Sequence, residues 1–296
     1  MSAAALRYAA VTPVRDEAAN LPRLAAALAS QTCRPAAWII VDTGSTDDTV
    51  RIARDLGTTC PWTTVAHLPA QTQLARGAPI VRAFHHGVAA LHDLPDIVVK
   101  LDADVSFDPD YFERLLANFA RDPGLGMASG MAYEMEGGRW QPRFNTANSV
   151  WGAVRAYRRE CLRDVLPLEE HMGWDGIDEL KARARQWATA TFDDIPFRHH
   201  RPEGGRDGRR RHAWTARGRA AHYMGYRTWY LGLRALYHAR RDPAALAMIW
   251  GFVLAKVKHD PVCADESVRI RLRREQSLRT LPGRLRDAGG LQGARR

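Results

Sequence analysis

The chain has 296 residues, 46% hydrophobic and 26% charged, which is the composition of a globular protein and excludes a disordered one. Its net charge of +10 is unevenly placed: residues 1–197 carry 20 Lys+Arg against 25 Asp+Glu, and residues 198–296 carry 23 against 8, which points to an anionic partner for the C-terminal third. Cys33, Cys60, Cys161 and Cys263 show no CxxC or CxH spacing, which excludes a zinc finger or a disulfide framework and fits a reducing compartment.

In chain order, "LRYAAVTPV" (residues 6–14) reads as a short buried strand that ends near Pro13. Leu21, Leu24 and Leu28 then recur at helical spacing. "AAWIIVDTGSTDDT" is a second buried strand, ending at Asp42 and a Gly-Ser turn, with Thr46 or Asp47 placed to cap the next helix. "TTVAHL" is a third strand, "GAPIVRAFHHGVAALHD" a helix, "DIVVKLDAD" a fourth strand and "DPDYFERLLANFARD" a helix with Pro109 near its first turn. This β-α repeat predicts a mostly parallel sheet with helices on both faces, where ligands bind beyond the carboxyl ends of strands. Thr12, Asp42, Asp102 and Asp104 all stand at such ends.

After Gly124 the pattern changes. A strand with a Gly-Gly hairpin, a strand running into a helix at "VWGAVRAYRRECLRDV", and a loop, helix and strand over "GWDGIDELKARARQWATATFDDIPFRHHR" are expected. The Gly/Arg-rich "RPEGGRDGRRRHAWTARGR" reads as a flexible loop, and two helices over residues 222–258 meet near Arg241, Asp242 and Pro243. The expected organisation is a catalytic unit over residues 1–200, a basic helical extension over 201–280 and a disordered tail over 281–296. The longest uncharged apolar run, Ala244 to Ala255, is shorter than the roughly 18–20 residues that span a bilayer. The first residues lack a basic n-region followed by an apolar core, so no signal peptide is expected; the expected location is cytoplasmic, with peripheral contact at the inner face of the membrane as a further expectation.

The chemistry starts at "KLDADVSF". Asp102 and Asp104 are one residue apart at the end of an apolar strand, so their side chains point the same way. Two like charges that close face either bulk water or a cation, and a hard ion such as Mg2+ or Mn2+ takes carboxylates together with substrate phosphates.

Three stretches, "VTPVRDEAANLPRLAAALASQT", "WIIVDTGSTDDT" and "VVKLDADVSFDPDYFERLLANF", resemble in order and spacing the signatures of family 2 glycosyltransferases. The resemblance covers residues 6–200. It implies the GT-A fold and inverting transfer of a sugar from a nucleotide-diphosphate donor, with UDP favoured and a Mn2+ or Mg2+ cofactor. On that resemblance Thr12 and Pro13 touch the base and Asp42 binds uracil or ribose. Asp104 is the principal metal ligand and Asp102 serves ribose or metal. Thr43 stands where many relatives carry a second acid. Gly77 and Arg82 match the segment near the donor, where a guanidinium suits phosphate oxygens.

The resemblance also implies an Asp that takes the acceptor hydroxyl's proton. In "MGWDGIDELKARARQW", counting back from Trp187 selects Asp175, and counting from the helix start selects Asp178 or Glu179; Asp175 is favoured. Trp174 stands where relatives often carry Glu. Of the adjacent pair His199 and His200, at most one faces the site from an extended strand; we assign His200 as a further metal ligand, with Arg201 and Arg206 neutralising the leaving diphosphate. Trp151 and Trp174 are candidate acceptor contacts, because aromatic faces stack on sugars. A saccharide or lipid-linked acceptor is expected, and the aromatic, aliphatic and basic C-terminal helices are of the kind that lies in a membrane interface.

Two rival readings are weaker. A basic nucleic-acid-binding protein accounts for the charge of residues 198–296, but no helix-turn-helix, zinc-finger or RNP-like pattern accompanies it, so no specific nucleic acid is expected. A nucleotidyltransferase shares the nucleotide, the metal and the sheet, but "TPVRDEAANLP" lacks the Gly-rich basic loop expected after its first strand.

Overall fold

The computed structural model describes residues 6–69, 77–143, 149–201, 210–240 and 242–279. Strand β1 (Tyr8–Val14) is the centre of a parallel set, between β2 (Ala37–Asp42) and β4 (Ile97–Leu101), with β3 (Thr63–His67) outside β2. Helices α1 (Leu21–Ala29), α2 (Thr49–Thr59) and α3 (Ala78–Ala89) make the crossovers. Parallel strands need such crossovers, which cover both faces of the sheet. The alternation is strict. On one face Tyr8, Ala10, Trp38, Ile40, Val99 and Leu101 join a core with Leu24 and Phe112; on the other, Ala9, Val11, Ile39, Val41 and Val98 pack with Phe84 and Tyr157.

Beyond β4 the sheet turns mixed. Strand β8 (Val154–Arg158) pairs antiparallel to β4, and β6 (Leu125–Glu136) pairs antiparallel to β8 and parallel to β9 (Ala188–His199). The short β5 (Val105–Phe107) closes the edge against β9, and β7 (Arg139–Pro142) returns on β6 through the Gly137-Gly138 turn. Helices α4 (Tyr111–Arg121), α5 (Arg159–Val165) and α6 (Trp174–Ala184) complete this half. The predicted order through the fourth strand and its helix matches, as do the hairpin and the strand-to-helix run. Strand β5 was not expected, because three residues carry no readable period.

The C-terminal extension is helical throughout its described part: α7 (Arg210–Tyr223), α8 (Thr228–Ala239), α9 (Ala247–Val257) and α10 (Glu266–Glu275). Here the sequence reading needs correction, because α7 occupies residues that read as a flexible loop. Its Gly218 hides the helix: a Cβ there would lie 2.0 Å from the Met248 carbonyl oxygen, and one on Gly251 2.0 Å from that of Thr215. Helices α7 and α9 cross backbone to backbone at those two glycines. Arg206 and the expected tail over 281–296 lie outside the described residues. All four cysteines are free.

Candidate functional site

The rim formed by the carboxyl ends of β1, β2 and β4 can be built one side chain at a time. Asp42 ends β2 with its carboxylate turned back on the chain. It accepts from Ser45 N (3.0 Å) and Gly44 N (3.1 Å) and meets His67 Nδ1 at 2.9 Å. Burial raises its pKa, but the hydrogen bonds from Ser45, Gly44 and His67 prevail and hold the carboxyl below the ordinary aspartate value. Asp42 therefore shapes the turn, and the exposed ring at this position is that of His67. Thr12 has to be corrected as a donor contact. Alternation along β1 sends its side chain into the core with Tyr8 and Ala10, where its hydroxyl accepts from Trp38 Nε1 at 2.9 Å. Pro13, one residue on, is half-buried at the strand end.

Asp102 and Asp104 part company in the structure. Lys100, buried on β4, donates to the Asp102 carboxylate and to the Gly152 carbonyl at 2.8 Å. Asp104 faces His199 instead, with Nε2 at 3.5 Å from Oδ1, and Arg201 Nε at 3.6 Å from Oδ2. His199 Nδ1 meets Glu134 at 3.1 Å. Burial opposes a charge on His199, but its hydrogen bonds to Asp104 and Glu134 lift the imidazole to about 9. Asp104 is pushed up by burial and pulled down more strongly by His199 and Arg201, so its pKa lies below the ordinary value. Arg201 also grips Glu17 through both Nη atoms, at 2.9 and 2.7 Å, which ties the end of β9 to the β1–α1 loop.

Of the adjacent pair His199 and His200, the structure puts His199 beside Asp104, so the choice of His200 is corrected. His199 pairs with Val105 at the last rung of β9, and His200 follows with its N–H donating to the Asp104 carbonyl oxygen at 2.8 Å; Asp104 lies in the turn before β5, so strand alternation does not carry over to its side chain. His200 instead meets Ser106 Oγ at 2.8 Å and the edge of Trp140. No group of three or more His, Cys, Asp or Glu among the described residues could hold a metal ion. Asp104 and His199 still fit a shared divalent ion: ligands at ~2.0–2.2 Å from a cation lie about 3–3.5 Å from each other, and the open positions suit phosphate oxygens.

On the far side of Lys100 lies α6. Asp175 stands exposed in its first turn, with Oδ1 accepting from Gly176 N at 3.0 Å. A Cβ built on Gly152 would lie 3.8 Å from its Oδ2, so Gly152 links Asp175 to Lys100 and Asp102. Asp178 is a correction. It is 1% exposed and accepts from Arg155 Nη1 (2.7 Å) and Tyr157 Oη (2.5 Å). Burial raises it to about 7 against the pull of Arg155, a value that would suit a base, yet no acceptor hydroxyl reaches it. Glu179 holds the same arginine at 3.0 Å and accepts from Val150 N. Trp174 is corrected too: at 8% exposed it lies against Lys100 and Arg155, 5.7 and 5.6 Å from its ring centroid, so it packs and does not stack on sugars. Trp151 is half-buried against the main core, with its indole nitrogen unpartnered among the described residues.

Gly77, at φ +95°, starts α3; a Cβ there would lie 2.8 Å from the His171 carbonyl oxygen, so its close approach is to the chain's own backbone before α6. Arg82 is bonded to Glu170 at 2.6 Å, on that same loop.

Residues 9–171 match the model of the family described as Glycosyl transferase family 2. The chain belongs to glycosyl transferase family 2. It is an enzyme, a glycosyltransferase with the GT-A fold. Uncharacterized glycosyltransferases of Mycobacterium tuberculosis and Mycobacterium bovis are each 26% identical to it over 200 residues, 62% of this chain and 82% of theirs. Among solved structures, the mannosyltransferase PcManGT from Pyrobaculum calidifontis, in complex with GDP-Man and Mn2+, is similar with TM-score 0.55 at 18% identity, over 98% of this chain and 81% of that one. S. aureus TarS in complex with UDP-GlcNAc has TM-score 0.54 at 16% identity, over 84% and 72%. The matched segment spans Asp42, Asp102 and Asp104 of this glycosyltransferase and stops short of α6 and β9, where Asp175, His199 and Arg201 stand.

Lys100, Glu134, Glu17 and His67 are the residues around the site that sequence reasoning missed. Lys100 carried a signal, a lone cation inside an apolar strand just before the acid pair. The choice between His199 and His200 needed the turn at Asp104, which carries its carboxylate to His199 and which no local pattern supplies.

Proposed function

We propose that this glycosyltransferase is metal-dependent and inverting, moving a sugar from a nucleotide-diphosphate donor, UDP-linked in preference, to a saccharide or lipid-linked acceptor. The observation that carries the reading is the convergence of Asp104, His199 and Arg201 on one point of the rim. Asp104 and His199 would hold Mn2+ or Mg2+, which would supply charge neutralisation for the leaving diphosphate. Two of the structurally similar proteins were solved with nucleotide-sugars, GDP-Man with Mn2+ in one and UDP-GlcNAc in the other.

The rest is done by the chain's own side chains. His67, Asp42 and Pro13 lie at the nucleoside end of the rim. Asp102, fixed by Lys100, accepts from ribose hydroxyls. Arg201, anchored on Glu17, gives its remaining field to the diphosphate. Asp175 removes the acceptor hydroxyl proton as that oxygen bonds to the anomeric carbon and the bond to the diphosphate breaks on the opposite side, which inverts the centre. Trp151, beside Gly152, lies at the acceptor end.

Thermal shift with UDP-, GDP- and dTDP-sugars, with and without Mn2+, tests the reading. A ligand at a hundred times its Kd stabilises by about 2.7 kcal/mol. Stabilisation by one nucleotide-sugar only with Mn2+ is expected in the wild type and absent in Asp104→Ala. Asp175→Asn keeps it and loses transfer. Mn2+-dependent donor binding undiminished in Asp104→Ala would sink the metal assignment.

A further inference from the structure

We infer that the outer faces of α8 and α9 form a docking surface for an anionic lipid bilayer. On α9 and the turn before it, Leu246, Ile249, Trp250, Val253 and Val257 are all exposed, Trp250 by 64%. These positions follow helical spacing, so they form one stripe along the outer side. On α8, Trp229, Leu233, Leu236 and Tyr237 do the same. The inner sides are accounted for: Leu231, Ala235, Met248 and Phe252 pack with Trp214 of α7. Consecutive helices therefore present apolar side chains outward after satisfying their own core, a patch that a monomer in water rarely keeps open.

Charge decides what covers the patch. Residues 210–259 contain ten Arg and Lys and one acid, Asp242, which is occupied by Trp214 Nε1 and the Ala244 amide. Arg234, Arg240, Lys256 and Lys258 flank the stripe on exposed positions. A second copy of the chain would bring the same positive charge against itself. An anionic headgroup layer complements it, while Trp229, Tyr237 and Trp250 suit the boundary between headgroups and acyl chains. No helix among the described residues is long and apolar enough to cross a membrane, so this surface lies on the bilayer.

The module is coupled to the site. Tyr223, at the end of α7, stacks on His171 at 3.8 Å, and Met224 covers Gly173 and Gly176 on either side of Asp175. Bilayer docking would hold the Asp175 end of the site near the membrane, where a lipid-linked acceptor is carried; that last consequence rests on the glycosyl-transfer reading, and the docking itself does not.

The test is sedimentation of the full chain with vesicles of phosphatidylcholine alone and of phosphatidylcholine mixed with phosphatidylglycerol. The wild type is expected to bind the mixed vesicles and not the neutral ones, and Trp250→Phe to bind as the wild type does. Trp250→Glu with Val253→Glu, and separately Lys256→Glu with Lys258→Glu, should each weaken binding by about tenfold or more, with unchanged far-UV circular dichroism. Three results overturn the inference: no binding to mixed vesicles, full binding by the Trp250/Val253 variant, or a wild-type dimer that this variant dissociates. Vesicle binding by a protein that shows no donor stabilisation would retain the docking surface and remove the proposed function.

Discussion

Replacing Asp178 by Asn separates a buried structural acid from a catalytic one. Asp178 and Arg155 are each 1% exposed, and the carboxylate is reached only by Arg155 and Tyr157 among its hydrogen-bond partners. Breaking a buried ion pair by removing one partner costs about 3–5 kcal/mol. Three features move this case to the low end. Asn keeps the shape and one acceptor oxygen, Glu179 still holds Arg155 at 3.0 Å, and a carboxyl that burial holds at about 7 is already partly neutral at neutral pH. The loss expected is roughly 2–3 kcal/mol, or a fall in Tm of about 5–10 °C for a chain of this size. Asp175→Asn, on an exposed first-turn position, should stay within ~0.5 kcal/mol of wild type and lose transfer by roughly 10²–10⁴-fold. Paired scanning calorimetry and single-turnover transfer measure both quantities. An Asp178→Asn protein that melts like the wild type but does not turn over would refute the assignment of Asp178 to the interior.

Other outcomes follow from the same geometry. His199→Ala should lower Mn2+-dependent donor affinity by about 10–100-fold, while His200→Ala stays within about twofold; titration calorimetry with UDP-sugar and Mn2+ distinguishes them. Gly77→Ala places a Cβ 2.8 Å from the His171 carbonyl at φ +95°, so it should destabilise by about 1–3 kcal/mol in urea unfolding. Asp42 has its pKa lowered in the fold, so its contribution is present above about pH 4, the unfolded value, and is lost as pH falls through the lower folded one. The stability gap between wild type and Asp42→Asn should therefore be open at pH 5–7 and close below pH 4, as followed by urea midpoints.

The sequence was most informative where chemistry and period coincide. The parallel half could be read because each of its strands is a short apolar run ending in a polar residue, with a helical period between. Asp42, Asp102 and Asp104 were visible for the same reason. What stayed hidden depends on contacts across long separations: His199 rather than His200 beside Asp104 follows from how the turn before β5 meets the end of β9, and the burial of Asp178 follows from α6 packing on Arg155 and Tyr157 of β8. Thr12 misled because a strand end looks alike whether its last side chains turn in or out. Helix α7 was masked by Gly218 and by the glycines that precede it in the sequence, which lower helix propensity locally, while its packing on α9 supplies the stability.

The acid pair at the end of β4 raised the question of what cation separates two like charges, and the fold answers it twice. Lys100 neutralises Asp102 from inside the sheet, and His199 with Arg201 faces Asp104 from β9. On the proposed function it is Asp104, together with His199, that would meet a cation arriving with substrate. Lys100 has a second job, because its other hydrogen bond holds the Gly152 carbonyl, and Gly152 adjoins Asp175. On the proposed function, one buried ammonium would thus space the donor side of the site from its acceptor side. Lys100→Met tests this. The thioether fills the stem's volume and Asp102, 33% exposed, regains water, but the Gly152 carbonyl loses its donor, so the variant should lose about 1–3 kcal/mol of stability. Donor KM should rise only a few-fold, while kcat falls by about tenfold or more, since misplacing a reacting group by ~1 Å costs that much. A variant that loses donor affinity with kcat intact would mean that Lys100 serves Asp102 alone.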